Sequence, residues 1–203
     1  MMRAATLQDG GKARISAAAI ELFGRKGYDA TTIRDIAETA AMSLGALYRH
    51  YANKDELGRA LYAEAIALWS ERLLDSAAGL DDPAARLRAM TKFFCRAFDR
   101  DPNLFAFLLL NQHGPARSFD PKAANPLKVL EAEIRRGEQD GRILPGNRHL
   151  RALCVMGAVL QPAASYSRAG KTGLGALAEE IAAAAIRAAG VIEPTRRSGA
   201  VIQ

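Results

Sequence analysis

Among the side chains within residues 32–54 that can meet an anion are the hydroxyls of Thr32, Ser43 and Tyr48, the guanidinium groups of Arg34 and Arg49, the His50 imidazole and the Lys54 ammonium. Gly45 stands among them. Together they make no catalytic set. Hydroxyls, cations and helix N-termini bind phosphate oxygens, and glycine lets a backbone come close, so this run offers contact with a phosphodiester backbone and the base edges beside it.

Two short helices must hold that run. Thr32 is placed as an N-cap, with Asp35 three residues on at the reciprocal capping-box position. Ile33, Ile36, Ala37 and Ala40 then form one buried stripe, leaving Arg34, Asp35, Glu38 and Thr39 outward. Ser43 is a second N-cap, so Ala41 and Met42 make the turn between helices at a steep angle. In the second helix Leu47 and Tyr51 face the core, and Leu44, Gly45, Tyr48, Arg49 and His50 face out. A helix, a tight turn and a second helix with a polar outer face read as a DNA-binding helix-turn-helix. A scaffold helix precedes it from about Lys12 to Lys26, with Ile15, Ala18, Ala19, Leu22 and Phe23 inward and Gly27 as its cap. Another follows, capped by Asn53 and Glu56, with Lys54 in its first turn where a phosphate meets both ammonium and helix N-terminus.

At these residues the chain resembles the tetracycline-repressor-like (TetR) transcriptional regulators. The resemblance runs from Ile15 to about Leu61, on Ile15, Ala18, Ala19, Leu22, Phe23, Gly27, Tyr28, Thr31, Thr32, Ile33, Ile36, Ala37, Ala40, Ser43, Gly45, Leu47, Tyr48, Tyr51, Lys54 and Leu57. Tyr51 departs from it, since the family more often has Phe there. Leu44 falls at a variable, base-facing position. The resemblance implies that Arg34, Leu44, Gly45 and Arg49 face bases while Thr32, Ser43, Tyr48, His50 and Lys54 hold phosphates. It also implies an effector pocket in the middle helices and dimerisation through the eighth and ninth.

Beyond residue 57 every element reads as helix. The fourth helix continues through Leu57, Leu61, Ala65, Leu68 and Leu73, and links the DNA-binding end to the rest. Asp81 or Asp82 with Pro83 opens a fifth, carrying Leu87, Met90, Phe94, Ala97 and Phe98. Asp101-Pro102 opens a sixth, Asn103 to Gln112, apolar nearly all round. Gly114 to Asn125 reads as an irregular loop. A seventh helix runs from Pro126 to about Asp140. An eighth, Arg148 to about Ser167, should be kinked by Pro162, and a ninth, Thr172 to Ala189, ends at Gly190. The last two are rich in small residues, among them Ala158 and Ala183, which suits either burial in one subunit or pairing with a second chain. Aromatic residues gather in the middle helices. Trp69, Phe94, Phe98 and Phe107, with Asn111 and Tyr166 as polar partners, are the candidate effector lining, although any one of them also suits an ordinary core.

Composition sets the outer bounds. With 203 residues, 49% of them hydrophobic, the chain can bury a core. Its net charge of +6 suits an anionic partner only weakly, because residues 1–56 hold eight Lys/Arg against seven Asp/Glu. Local placement carries the DNA argument instead. Cys95 and Cys154 lie far apart in apolar helices and read as reduced thiols. No apolar run approaches the about 18 residues of a membrane span, which places the chain in the cytoplasm. His50, His113 and His149 have no metal-ligand spacing, and no nucleophile elbow or phosphate loop occurs, so no metal, cofactor or catalysis is expected.

The reading is an all-α protein: a helix-turn-helix DNA-binding domain at 1–56, a helical effector-binding and dimerisation domain at 57–192, and a disordered tail at 193–203. Its function is a homodimeric transcriptional regulator, a repressor released from a pseudo-palindromic double-stranded operator by a small apolar or aromatic effector. The rival is a nucleoid or partner-binding factor with the same DNA-binding end and no effector.

Overall fold

The first helix, α1 (Gly10–Lys26), stops at Gly27, whose φ of 88° is left-handed backbone that glycine adopts without a Cβ penalty. Its inward stripe is the expected one, Ile15, Ala18, Ala19, Leu22 and Phe23. The computed structural model describes residues 10–110, 123 and 125–192. Arg3, Asn111, Gln112, His113, most of the 114–125 loop and the 193–203 tail lie outside the described residues.

Helix α2 (Ile33–Thr39) is capped at both ends of the box: Thr32 Oγ1 accepts from Asp35 N at 3.1 Å, and Thr32 N donates to Asp35 Oδ2 at 2.9 Å. Helix α3 is a single turn, Leu44–Tyr48. Helix α4 (Lys54–Asp75) is long and buries Leu57, Leu61, Ala65, Ile66, Trp69 and Leu73. Asp82 caps α5 (Pro83–Arg100), with Pro83 at the first position where its missing N–H does no harm.

Helix α6 (Pro102–Phe105) runs into a π-helical turn, Ala106–Leu110. A run buried on every side carries no period that separates α from π, so the sequence reads as plain helix here. Helices α7 (Pro126–Gln139) and α8 (Arg148–Arg168) keep the expected bounds, and α8 continues through Pro162. The ninth helix is shorter than expected. A 3₁₀ turn at Leu174–Leu177 precedes α9 (Ala178–Ala189), because Asp99 on α5 accepts from the N–H groups of Gly173, Leu174 and Gly175 at 2.7–2.8 Å and holds that stretch out of the helix.

Among the described residues no strand forms, and one antiparallel bridge pairs Ile143 with Val191. A single apolar core runs from Ile15 on α1 to Ala189 on α9. Within it Arg86 Nε donates to Glu133 Oε1 at 2.6 Å while Nη1 donates to the carbonyls of Ala77 and Leu80, which pins α5 to α7 and to the turn that follows α4. Helices α8 and α9 pack on each other through small residues: Ala152, Ala163, Ala182, Ala185 and Ala189 are fully covered within the subunit. The opposite side of α8 is open, with Leu150 and Leu153 56% and 45% exposed. Burial in one subunit therefore accounts for these five alanines, and the face carrying Leu150 and Leu153 is left uncovered within the subunit.

Candidate nucleic-acid interface

The turn between α2 and α3 rests on Ala41, whose φ of 52° lies in the left-handed region that a Cβ disfavours. Ala41 N donates to Glu38 O at 3.0 Å and Met42 N to Ala37 O at 2.9 Å, closing the orphan carbonyls of α2 and swinging the chain toward Ser43. Ser43 Oγ then accepts from Ala46 N at 3.1 Å and starts α3. As hydroxyls, Thr32 and Ser43 each accept a cap bond and still carry an O–H donor that can meet a phosphate oxygen.

On the outer side of this pair Arg34, Ser43, Gly45, Tyr48 and Arg49 are exposed, Tyr48 by 50%. Nothing lies within 4 Å of where a Gly45 Cβ would stand, so its backbone is open to close approach. Two expected outward residues sit deeper. Leu44 packs half-buried against the core, and His50 is half-buried, because a one-turn helix has no room to turn all five of these side chains outward.

Lys54 departs furthest from expectation. Its Nζ donates to the carbonyls of Tyr28 and Thr31, both at 2.9 Å, and lies 4.5 Å from the centre of the Tyr28 ring. Tyr28 OH donates to Asp55 Oδ1 at 2.5 Å; burial and that carboxylate push the phenol's pKa well above its usual value. Thr31 Oγ1 donates to Gly27 O at 2.7 Å, so the loop before α2 is tied at each residue that the resemblance singles out. Asn53 caps α4 as expected, but Glu56 reaches back to Ala52 N rather than to the cap residue. Lys26 Nζ donates to Asp35 Oδ2 at 2.8 Å, which, with the Thr32 bonds, holds the Asp35 carboxyl down at about 2.

In the middle helices Trp69, Phe94 and Phe98 are buried and meet further aromatic rings edge-on. Phe105 is the hub, 5.7 Å from Trp69 and 5.4 Å from Phe98. It belongs to the aromatic cluster of the sequence but not to the expected lining, since nothing in linear spacing sets one helix's ring against another's. Phe107 belongs elsewhere: it stacks on Phe23 of α1 at 5.3 Å and meets Tyr62 of α4 edge-on at 6.0 Å. Tyr166 is half-buried against the core. Among the described residues no group of three His, Cys, Asp or Glu is placed to hold a metal ion, and no helix is long and apolar enough to cross a membrane.

Residues 15–61 match the bacterial regulatory proteins of the tetR family. An uncharacterized HTH-type transcriptional regulator of Haemophilus influenzae is 24% identical over 123 residues, 61% of this chain, and the chain spans only 60% of that relative's length. The fold matches a tetR-family regulatory protein from Rhodococcus RHA1 with a TM-score of 0.71 and 25% identity, over 91% of this chain and all of that one. It also matches AibR, solved with isovaleryl coenzyme A and operator DNA, with a TM-score of 0.69 and 22% identity over 85% of this chain and 96% of AibR. The chain thus carries at residues 15–61 the helix-turn-helix of the tetR family of bacterial regulatory proteins, and shares the fold of a tetR-family regulatory protein over nine-tenths of its length.

Proposed function

We propose that the chain is a homodimeric, effector-responsive transcriptional repressor in the cytoplasm, with its DNA-binding part ending near residue 56 and its effector and dimer part running from 57 to 192. The observation that carries this is the exposed face of a capped, one-turn α3, where Ser43, Gly45, Tyr48 and Arg49 stand together beside Arg34. Arg34, Arg49 and the Gly45 backbone read base edges, with Leu44 at the margin. Thr32, Ser43, Tyr48 and His50 hold phosphates. In a dimer two such faces enter successive major grooves of a pseudo-palindrome, with half-sites about one helical turn apart.

Release requires an effector that binds the DNA-incompetent state more tightly. A hundredfold loss of operator affinity corresponds to about 2.7 kcal/mol of coupling, within reach of one buried small molecule. Trp69, Phe94, Phe98 and Phe105 would flank an apolar group. Likeness to AibR supports trying acyl-coenzyme A compounds first. The rings' close mutual packing favours a second reading, a DNA-binding factor with no effector and a plain aromatic core.

One experiment separates these readings. Duplexes enriched on the protein from a random-sequence pool are retested for binding with and without acyl-coenzyme A, aromatic and apolar compounds, while Trp69 fluorescence is followed. A shared palindrome supports DNA recognition, and its release with a Trp69 signal supports the effector. Enrichment without any release leaves the effector-free factor, and no enrichment removes DNA recognition altogether.

A further inference from the structure

We propose that Lys54 is a positioning residue, an ammonium clamp that fixes the α2–α3 reading pair on α4, and not a phosphate contact. This rests on the DNA-binding reading above. An ammonium has three N–H donors. Two of those on Lys54 go to the carbonyls of Tyr28 and Thr31, and the charge lies over the Tyr28 ring. Charge-assisted bonds to carbonyls, together with a cation–π contact in a half-buried place, hold the side chain against the protein rather than toward solvent.

The neighbouring residue completes the clamp. Asp55 accepts from Tyr28 OH, so consecutive residues at the start of α4 grip the backbone and the phenol of Tyr28. The Tyr28 ring also meets Phe23 of α1, tilted at 47° with ring centres 4.9 Å apart. Thr31, whose carbonyl Lys54 holds, stands immediately before the Thr32 cap of α2. Helix α2 carries α3 through a tight turn. Lys54 thus fixes where the reading pair begins relative to α4, the helix that leads into the rest of the molecule.

A phosphate contact and a clamp part company in their response to salt and in the DNA-free protein. The probe is the duplex that the wild-type chain enriches from a random-sequence pool. Lys54→Arg keeps the charge, but its planar fork does not fit two carbonyls and a ring face as an ammonium does. The clamp predicts that it binds about tenfold more weakly or worse, with an unchanged salt slope. Lys54→Met should lose affinity likewise without flattening the slope, and in the DNA-free protein its amides at Thr31 to Arg34 should exchange faster. Tyr28→Phe, which keeps the ring and the carbonyl but loses the bond to Asp55, should act in the same direction with a smaller effect.

Wild-type affinity in Lys54→Arg overturns the proposal. So does a salt slope that is shallower in Lys54→Met by about 0.9 per phosphate no longer neutralised, since that marks a phosphate partner. If Lys54→Met does not fold, Lys54→Arg and Tyr28→Phe decide by the same measurements. If the wild-type chain enriches no duplex, the DNA-binding reading fails, while amide exchange at Thr31 to Arg34 in the DNA-free variants still decides the clamp.

Discussion

Gly24 on α1 and Asn103 on α6 meet backbone to backbone: a Cβ added at Gly24 would stand 2.4 Å from the Asn103 carbonyl oxygen and 2.5 Å from its Cα. Backbone cannot rotate aside as a flexible side chain can. The DNA-binding end is therefore braced against the middle helices by α1 as well as continued into them by α4, with Phe23 stacked on Phe107 just beside the contact. Gly24→Ala should force the two helices apart and lower stability by about 1–3 kcal/mol, the range for overpacking. Thermal unfolding at one fixed protein concentration should show it, at about 2–4 °C per kcal/mol for a chain of this size. An unchanged melting point would mean that α1 and α6 slide freely.

Gly45→Ala gives the opposite pattern. Its Cβ meets nothing in the free protein, and alanine favours helix, so the melting point should hold or rise slightly. Binding to a pool-enriched duplex should weaken if a DNA backbone comes close there. Loss of stability without loss of binding would remove Gly45 from the reading face.

Asp35 gives the pH dependence a sign. Its carboxyl is held at about 2 in the folded chain, against an ordinary value of 3.8, by the Lys26 ammonium first and the Thr32 bonds next. Because the folded value is the lower one, its contribution to the α2 cap is complete above about pH 4 and is lost as pH falls through about 2. The Thr32 amide, which donates to Asp35 Oδ2, should exchange faster over that window. In Lys26→Met the carboxyl should titrate at higher pH. A titration unmoved by that change would make the Lys26 pair irrelevant to the cap.

The first four helices were legible because their signals are local. Capping residues, i, i+3, i+4 stripes and a terminal Gly name Ile15 to Leu73 without knowledge of any partner element. What failed to show depended on distant residues: Asp99 drawing the Gly173–Gly175 amides out of α9, and Phe107 turning to α1 rather than to the Trp69 cluster. Lys54 is the instructive case. A cation in a first helical turn suits a phosphate, and only the fold brings the carbonyls of Tyr28 and Thr31 to it first.

Arg86 and Glu133 form an ion pair whose side chains are 12% and 4% exposed, too deep for water to take over either charge. Arg86→Met leaves Glu133 unpaired and also strips the Ala77 and Leu80 carbonyls of their donor, and should cost about 3–5 kcal/mol. Adding Glu133→Leu should restore part of that loss, since a buried apolar pair often replaces an ionic one at little cost. Urea unfolding of the single and double variants measures it. Equal losses in both would place the whole effect in the two carbonyls.

The open side of α8 makes the dimer testable at Gly157. Leu150, Leu153, Cys154 and Gly157 follow the i, i+3, i+4, i+7 spacing of one helix face, opposite the buried Ala152, Val155, Val159 and Ala163. A Cβ at Gly157 would meet nothing within 4 Å, so the subunit itself has no need of a glycine there. A second copy packed across that face would need one, because small residues let helix backbones close on each other. Gly157→Arg should therefore leave helicity intact, gain slightly in helix propensity, and halve the mass found by sedimentation. Leu153→Gln, which removes an exposed apolar contact with little change of size, should weaken the dimer in the same direction. A Gly157→Arg chain that still sediments as a dimer would exclude this face as the interface and move the search to the exposed side of α9 and the turn before it, where Ala184 and Ala176 stand.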